Sequence, residues 1–194
     1  MHPSLFRNRG LGEATREAYT QASGRAAQRF GESSIVDLGE VADGSRREDA
    51  REMPPATTRV TASSGAIERM LDGDPATRWL TGRPQNGSER IDIAMASSAS
   101  VSGLRLQIEG RSLNDYPRAL SVSVSSDGEH FAEVFAGSVF PALGAALRLD
   151  PVSPAIDVRW AATPAQFVRV QQTGRTGRRW FWSVHELRLL TPAR

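Results

Sequence analysis

The part of the sequence best suited to chemistry is an acidic turn, Asp-Gly-Asp-Pro-Ala-Thr-Arg-Trp, at residues 72–79. Asp72 and Asp74 supply carboxylate and carbonyl oxygens, and Thr77 supplies a hydroxyl and a carbonyl oxygen. Gly73 allows a sharp bend between the two acids. Ca²⁺ favours about six to eight such oxygens, of which this turn offers about four. The turn therefore predicts half of a calcium site, with the remaining donors supplied from elsewhere.

A second acidic patch, His185-Glu186, lies in the aromatic-rich segment 180–189 near the other end of the chain. If the two patches meet in space, they join the beginning and the end of one domain. A simpler interpretation of the turn stays open, since Asp-Gly-Asp-Pro also forms a hydrogen-bonded Asx turn without any metal. Its spacing and length are not those of an EF-hand loop.

Composition limits the classes of function. The 194 residues, 39% hydrophobic and 24% charged, are typical of one globular domain with an appendage. All 24 basic residues are arginine, but the net charge is only +2, too little to indicate a nucleic-acid partner. The chain has no cysteine, which excludes disulfides and thiolate chemistry. No apolar run is long enough for a secretory signal or a membrane span, so we expect neither.

The first part of the chain differs from the rest in its residue pattern. Alanines recur every fourth residue over residues 13–30, which predicts a helix, and residues 34–38 could form a short strand. A charged segment then ends in the double proline at residues 54–55, which is typical of a linker. We therefore expect residues 1–56 to be a helical arm and linker, connected to or left over from a larger protein.

From residue 57 onward, short runs alternate apolar and polar residues, the period of a half-buried strand. The Asp-Gly pair within residues 126–129 predicts a hairpin turn. Many short strands with frequent turns predict an antiparallel sandwich or barrel over residues 57–194. The clearest runs are residues 90–95, 104–108, 120–124, 168–170 and 187–189.

Several of these segments, taken in order, resemble one family. They are residues 61–64, 69–79, 91–93, 101–106, 116–128, 167–174 and 182–187. Together they resemble the discoidin domain, also called the coagulation factor V/factor VIII type C domain, over residues 57–190. The resemblance implies an all-β fold, an antiparallel jelly-roll β-sandwich of the galactose-binding-domain-like type.

The resemblance also implies a structural calcium ion between the first and last strands. Such an ion would not be catalytic, because protein oxygens fill the coordination sphere and leave no open position for water. The imidazole of His185 would take no part in it. The implied ligands are the carbonyl oxygens of Arg69, Asp74 and His185, the carboxylates of Asp72 and Glu186, and both oxygens of Thr77.

Ligand recognition in this family is attributed to loops at one end of the sandwich, here residues 81–87, 110–116 and 173–181. These loops are rich in arginine, amide and aromatic side chains, which suit the hydroxyls and apolar faces of sugars. Any single arginine could instead be merely solvated, and any aromatic side chain could lie in the core. The candidate contact residues are Arg83, Arg111, Asn114, Tyr116, Arg175, Arg178 and Trp180.

These features predict a non-catalytic carbohydrate-binding module of the cell envelope, periplasm or exterior. Its expected partners are a glycan or cell-surface polysaccharide and an attached glycoside-active enzyme, such as a hydrolase or glycosyltransferase. A protein-binding adhesion module using the same loops is the alternative; lipid binding would need apolar loop tips. The loop candidates include no clear histidine, which leaves a galactose-type sugar open. Neither a Gly-x-Ser-x-Gly elbow nor a phosphate loop is present, so we expect no active site.

Overall fold

The computed structural model describes residues 28–30, 33–35, 50–53, 58–177 and 180–193. The chain divides into two units between Asp43 and Gly44. In the first unit, β1 (Gln28–Phe30) and β2 (Ser33–Ile35) pair antiparallel. The helix predicted for residues 13–30 lies outside the described residues except at its last three positions. There the prediction is wrong, because strand pairing with β2 takes up the backbone hydrogen bonds that a helix would use.

The second unit is an antiparallel β structure with few helices, and the predicted fold class is confirmed. Its main sheet has the strand order β3-β11-β6-β9-β7-β8, with β4 also paired to β6, and β5 pairs separately with β10. The elements are β3 (Ala50–Glu52), β4 (Thr58–Ala62), β5 (Trp79–Leu80), β6 (Arg90–Gln107), β7 (Ala119–Ser125), β8 (Ala132–Ser138), α1 (Phe140–Leu149), β9 (Ala155–Gln172), β10 (Ser183–Val184) and β11 (Glu186–Pro192), with short 3-10 helices at Ile67–Met70 and Gly110–Asp115.

Two long strands, β6 and β9, organise the sheet. Each has 18 residues, and their register shifts between Ala94 and Ala99 and again between Val101 and Gly103. Bulges of this kind bend a strand and increase its twist. As a result, the first half of β6 borders β4 while its second half borders β11. This bend brings the last strand of the chain next to the acidic turn that follows β4.

The alternating runs of the sequence form the core. Their apolar side chains point to one face of each strand and are almost fully buried, as for Ile91, Leu104, Leu120 and Val170. The Asp-Gly hairpin between β7 and β8 is also present, with Gly128 at φ +82°. The sequence periodicity was therefore sufficient to locate these runs and the faces that they bury.

Trp79 and Trp182 form the aromatic centre of the core. Their rings meet edge to face with centroids 5.0 Å apart, and both side chains are fully buried. The Trp79 indole donates to the Ser64 carbonyl oxygen at 2.6 Å. Because β5 and β10 carry these residues, the pair connects the segment after the acidic turn with the closing segment of the chain.

The elements that were not predicted include a helix and an edge strand of the main sheet. The helix α1 buries Phe140, Leu143 and Ala146, whose spacing of three places them on one helical face. The strand β3 pairs with β11, and the Met53 N–H donates to the Leu189 carbonyl oxygen at 2.9 Å. Residues 50–53, which the sequence analysis places in the linker, are thus part of the main sheet. Within the described part of the chain, no helix is long and apolar enough to cross a membrane.

Candidate ligand-binding surface and cation site

The acidic turn gathers oxygen atoms around the hydroxyl of Thr77. Its Oγ1 lies 2.7 Å from Asp72 Oδ2, 3.1 Å from the Arg69 carbonyl oxygen and 3.2 Å from the Asp74 carbonyl oxygen. Gly73, at φ +79°, makes the bend that aligns them. Four of the predicted ligand groups therefore converge at one end of the turn.

Asx hydrogen bonds are present in the same turn. Asp72 Oδ1 accepts the Asp74 N–H at 2.9 Å, and Asp74 Oδ1 accepts the Ala76 N–H at 2.8 Å. The Asp74 N–H and the Thr77 hydroxyl together lower the pKa of Asp72. These bonds fix the shape of the turn and leave Asp72 ionised, so the Asx turn and a cation site are compatible.

Glu186, at the start of β11, faces this turn. Glu186 is only 6% exposed, and burial raises its pKa. The Arg188 charge and the Gly73 N–H act in the opposite direction and lower that pKa, but burial has the larger effect. Arg188 Nη1 lies 2.6 Å from Glu186 Oε2, yet neither carboxylate oxygen has a hydrogen-bond partner of good geometry among the described residues. Asp72 and Glu186 are close enough to affect each other's pKa. The two acidic patches of the sequence therefore meet.

His185 connects the turn to the 3-10 helix at Gly110–Asp115. Its Nδ1 lies 2.7 Å from the Pro75 carbonyl oxygen, and its Nε2 lies 3.0 Å from Ser112 Oγ. The side chain is fully buried, and burial lowers its pKa. A neutral imidazole fits both contacts, donating to Pro75 and accepting from Ser112. Both ring nitrogens are thus occupied, and only the backbone carbonyl of His185 remains as a donor to a cation.

Arg111 lies beside the acidic turn and not with the other loop candidates. Its guanidinium donates to the Ala76 carbonyl oxygen. A cavity of about 580 Å³ opens here, lined by Arg69, Ala76, Thr77, Arg78 and Arg111. Arg111 belongs to a predicted ligand loop by its sequence neighbours, but the 3-10 helix turns its side chain toward the acidic turn.

The predicted loops meet at a buried glutamine, Gln85, which is 1% exposed. Its Nε2 donates to the carbonyl oxygens of Tyr116 at 2.9 Å and Phe181 at 2.7 Å. Its Oε1 accepts the Arg118 N–H at 3.1 Å, and its own N–H donates to the Trp180 carbonyl oxygen at 3.1 Å. One side chain thus joins three segments that are far apart in sequence. We call the surface formed by residues 81–87, 114–118, 173–177 and 180–181 the loop surface.

Arg118, which is not among the predicted contact residues, covers one face of the Tyr116 ring. The guanidinium carbon of Arg118 lies 3.9 Å from the centre of the Tyr116 ring. Arg118 also donates to the carbonyl oxygens of Tyr116 at 3.1 Å and Asn114 at 2.9 Å. The sequence signal that could have identified Arg118 is its position two residues after Tyr116, directly before a strand. The Asn114 side chain is exposed.

The other loop candidates differ in exposure. Arg83 and Arg175 are exposed, and Trp180 is half-buried. The Trp180 carbonyl oxygen accepts from Thr176 Oγ1 at 2.6 Å, and this hydrogen bond joins the chain at residues 176 and 180. Arg178 itself lies outside the described residues. The structure therefore brings Arg83, Tyr116, Arg175 and Trp180 to the loop surface.

Comparison with known proteins establishes the family. The F5/8 type C domain profile matches residues 55–187, more than half of the chain. The chain belongs to the F5/8 type C domain family, as the sequence resemblance indicated. A search of curated proteins gave no match.

Several solved structures with a similar fold are carbohydrate-binding modules. The module CpGH89CBM32-5 of Clostridium perfringens, in complex with GalNAc-β-1,3-galactose, is 18% identical with a TM-score of 0.57, and the match covers 72% of this chain and 99% of that one. The family 32 module of C. perfringens NanJ, in complex with galactose, is 13% identical with a TM-score of 0.54, covering 73% and 98%. Chitosan-binding module 1 of a Paenibacillus chitosanase/glucanase is 21% identical with a TM-score of 0.51, covering 69% and 94%.

Proposed function

We propose that the sandwich is a non-catalytic carbohydrate-binding module that contacts its glycan through the loop surface. The observation that carries this proposal is the convergence of three loops on Gln85, which presents arginine, amide and aromatic groups together. Polar groups held in place by a buried hydrogen-bond network suit sugar hydroxyls, because little ordering is needed on binding. The structural neighbours in complex with galactose-containing sugars support the same use of this fold.

The described residues offer no arrangement suited to nucleophilic catalysis. Ser112 and His185 are in hydrogen-bond contact, but their side chains are 1% and 0% exposed, respectively. His185 Nδ1 faces the Pro75 carbonyl oxygen and not a carboxylate, and Arg78 donates to the Ser112 hydroxyl. A buried serine without an orienting acid does not fit the triad geometry. This supports binding without turnover.

The same proposal includes a structural Ca²⁺ at the acidic turn. The donor set is suitable, because it combines two carboxylates, Asp72 and Glu186, with carbonyl and hydroxyl oxygens. The buried Glu186 carboxylate, without a well-formed hydrogen bond among the described residues, is the feature that a cation would explain. The ligands would be those predicted from the sequence: Arg69, Asp72, Asp74, Thr77, His185 and Glu186. In the described part of the chain, no three acidic or histidine side chains could hold a metal alone, so backbone carbonyls are needed.

We further propose that the module works outside the cytoplasm and is attached to, or associated with, a glycoside-active enzyme. Three of the structural neighbours come from such enzymes by name: a family 31 glycoside hydrolase, a chitosanase/glucanase and a protein with alginate lyase domains. A non-catalytic module of this kind would keep an enzyme close to its polymeric substrate.

A glycan array with and without Ca²⁺ tests the function. Wild-type protein is expected to bind a defined set of glycans, and Trp180→Ala is expected to reduce that binding. Arg59→Ala is the matched control, since Arg59 is exposed on β4 outside the loop surface. If no glycan binds while a protein is specifically captured through the same loops, the adhesion-module alternative is correct.

A further inference from the structure

We propose that the ligand of the loop surface is an acidic glycan, carrying carboxylate or sulfate groups on its sugar rings. The inference rests on the glycan-binding function proposed above and adds the chemical class of the glycan. It follows from the charges that the loops bring together and from the position of the neighbouring acids.

Arg83, Arg118 and Arg175 come from three separate loops, which Gln85 connects. Gln85 Oε1 accepts the Arg118 N–H at 3.1 Å, and the Gln85 carbonyl oxygen accepts the N–H of Thr176, the residue after Arg175, at 3.0 Å. Arg83 lies two residues before Gln85. Three segments that each carry an arginine therefore meet at one buried glutamine.

The two nearby carboxylates are paired within the protein and are largely shielded from solvent. Glu89 is fully buried and accepts the backbone N–H groups of Asn86 at 3.1 Å and Gly87 at 3.2 Å. Asp115 pairs with Arg78 at 3.1 Å, and its side chain is 13% exposed. Both carboxylates therefore have partners of their own, and neither is presented to a ligand.

Arg83 and Arg175 have no acidic partner among the described residues, whereas Arg118 is near enough to Asp115 to help lower the pKa of that carboxyl. Arg118 stacks on Tyr116 and donates to two carbonyl oxygens, and Arg83 contacts the Ser88 hydroxyl at 3.5 Å. Arg175 is exposed and has no hydrogen-bond or ion-pair partner among the described residues. Segments 81–87 and 173–181 contain no acidic residue.

Charge and geometry together favour an anionic ligand. A guanidinium is planar and pairs with carboxylate or sulfate oxygens through two parallel hydrogen bonds. Arg118 is already oriented by Tyr116, so little conformational entropy is lost when it binds. A group of like charges on one surface also attracts an oppositely charged polymer during encounter. Neutral sugars would use the same donors but leave the charges of Arg83 and Arg175 without an anionic partner.

Matched glycan pairs test the proposal by affinity gel electrophoresis: polygalacturonate against its methyl ester, and dextran sulfate against dextran. We expect retention by an acidic member and little by its neutral counterpart, with the first pair reporting on carboxylate and the second on sulfate. Arg175→Ala is expected to weaken that binding about tenfold, the loss of one charge-assisted hydrogen bond. Arg59→Ala removes the same charge outside the loop surface and is expected to leave binding nearly unchanged.

The possible results distinguish a preference for acidic glycans from glycan binding itself. Equal retention by acidic and neutral members, or a neutral glycan as the strongest ligand on the array, would overturn the acidic preference and leave glycan binding intact. Equal weakening by Arg175→Ala and Arg59→Ala would show general attraction to the protein's charge and also overturn it. Absence of binding to every glycan would overturn both.

Discussion

Gly174 passes so close to Arg118 that a side-chain carbon at residue 174 would lie 2.6 Å from the Cβ atom of Arg118 and 2.9 Å from the Ala119 nitrogen. The loop before Trp180 can therefore cross β7 only without a side chain at this position. The Thr173 N–H, which donates to the Ala119 carbonyl oxygen at 2.9 Å, holds the crossing in place. This close approach fixes the position of Arg118 in the loop surface.

Gly174→Ala is expected to destabilise the protein by about 1 to 3 kcal/mol, because backbone atoms must move to relieve the contact. Ligand binding should weaken as well, since Arg118 shifts. Gly177→Ala is the matched control: a carbon added there meets nothing within 4 Å among the described residues. Urea unfolding of the three proteins measures the difference, and equal stability of both variants would show that the loop does not cross as described.

Gln85→Ala is expected to loosen all three loops at once. The change leaves the Phe181 carbonyl oxygen, the Arg118 N–H and the Gln172 side-chain amide without this partner, and it removes one of two donors to the Tyr116 carbonyl oxygen. Each buried group left unsatisfied costs about 1 to 3 kcal/mol, so we expect a loss of about 3 kcal/mol. Faster hydrogen exchange confined to the loop segments would locate the effect.

Gln171→Ala is the control for that change. Gln171 is exposed, and its side chain donates to the Gly87 carbonyl oxygen at 3.3 Å, a single contact. The Gln171→Ala substitution should lower the free energy of unfolding by less than about 0.5 kcal/mol, as surface substitutions usually do. A similar loss of stability in both variants would contradict the connecting role of Gln85.

Removal of Ca²⁺ is expected to lower the melting temperature, because an ion bound by the folded state alone stabilises it. Bound Ca²⁺ should raise the free energy of unfolding by about 2.7 kcal/mol when the free Ca²⁺ concentration is about 100 times its dissociation constant. Asp72→Asn should abolish the response to Ca²⁺. Asp74→Asn should keep it, since Asp74 is expected to contribute only its carbonyl oxygen. Identical melting curves of the wild-type protein in excess chelator and in excess Ca²⁺ would rule out the site.

Asp157→Asn is expected to destabilise the sheet by about 2 kcal/mol, because it removes the carboxylate charge that pairs with both Arg105 and Arg159. Arg105 Nε lies 2.7 Å from Asp157 Oδ1, and Arg159 Nη2 lies 2.9 Å from Asp157 Oδ2. Burial by itself would raise the pKa of Asp157, but the two arginines outweigh it, so the pKa lies below its ordinary value.

The sign of the pH effect follows from that direction. A carboxyl with a lowered pKa stabilises the fold above its unfolded value of about 3.9, and this contribution is lost as pH falls through the folded pKa. The difference in stability between wild type and Asp157→Asn should therefore be full at neutral pH and shrink below about pH 4. Glu129→Gln, at an exposed hairpin position, serves as the control. A difference that is independent of pH down to acid unfolding would contradict the ion-pair origin.

The strands were predictable because their signal is local. Residues such as Ile91 and Leu120 lie within alternating runs, and strand geometry alone places such side chains on one face. The 126–129 hairpin was predictable for the same reason. Strand β3 was not, since its three residues are charged or small and become a strand only by pairing with β11.

For the sites, the sequence determined which chemical groups are available, and the tertiary structure decided which of them meet. Asp72 and Glu186 lie 114 positions apart in the chain, and no local rule relates them; the bend of β6 brings β11 against the turn. The same folding placed Arg111 beside the acidic turn and joined the segments that carry Arg83, Arg118 and Arg175 through Gln85. Long-range hydrogen bonding and packing make these choices, and a pattern confined to neighbouring residues carries no information about them.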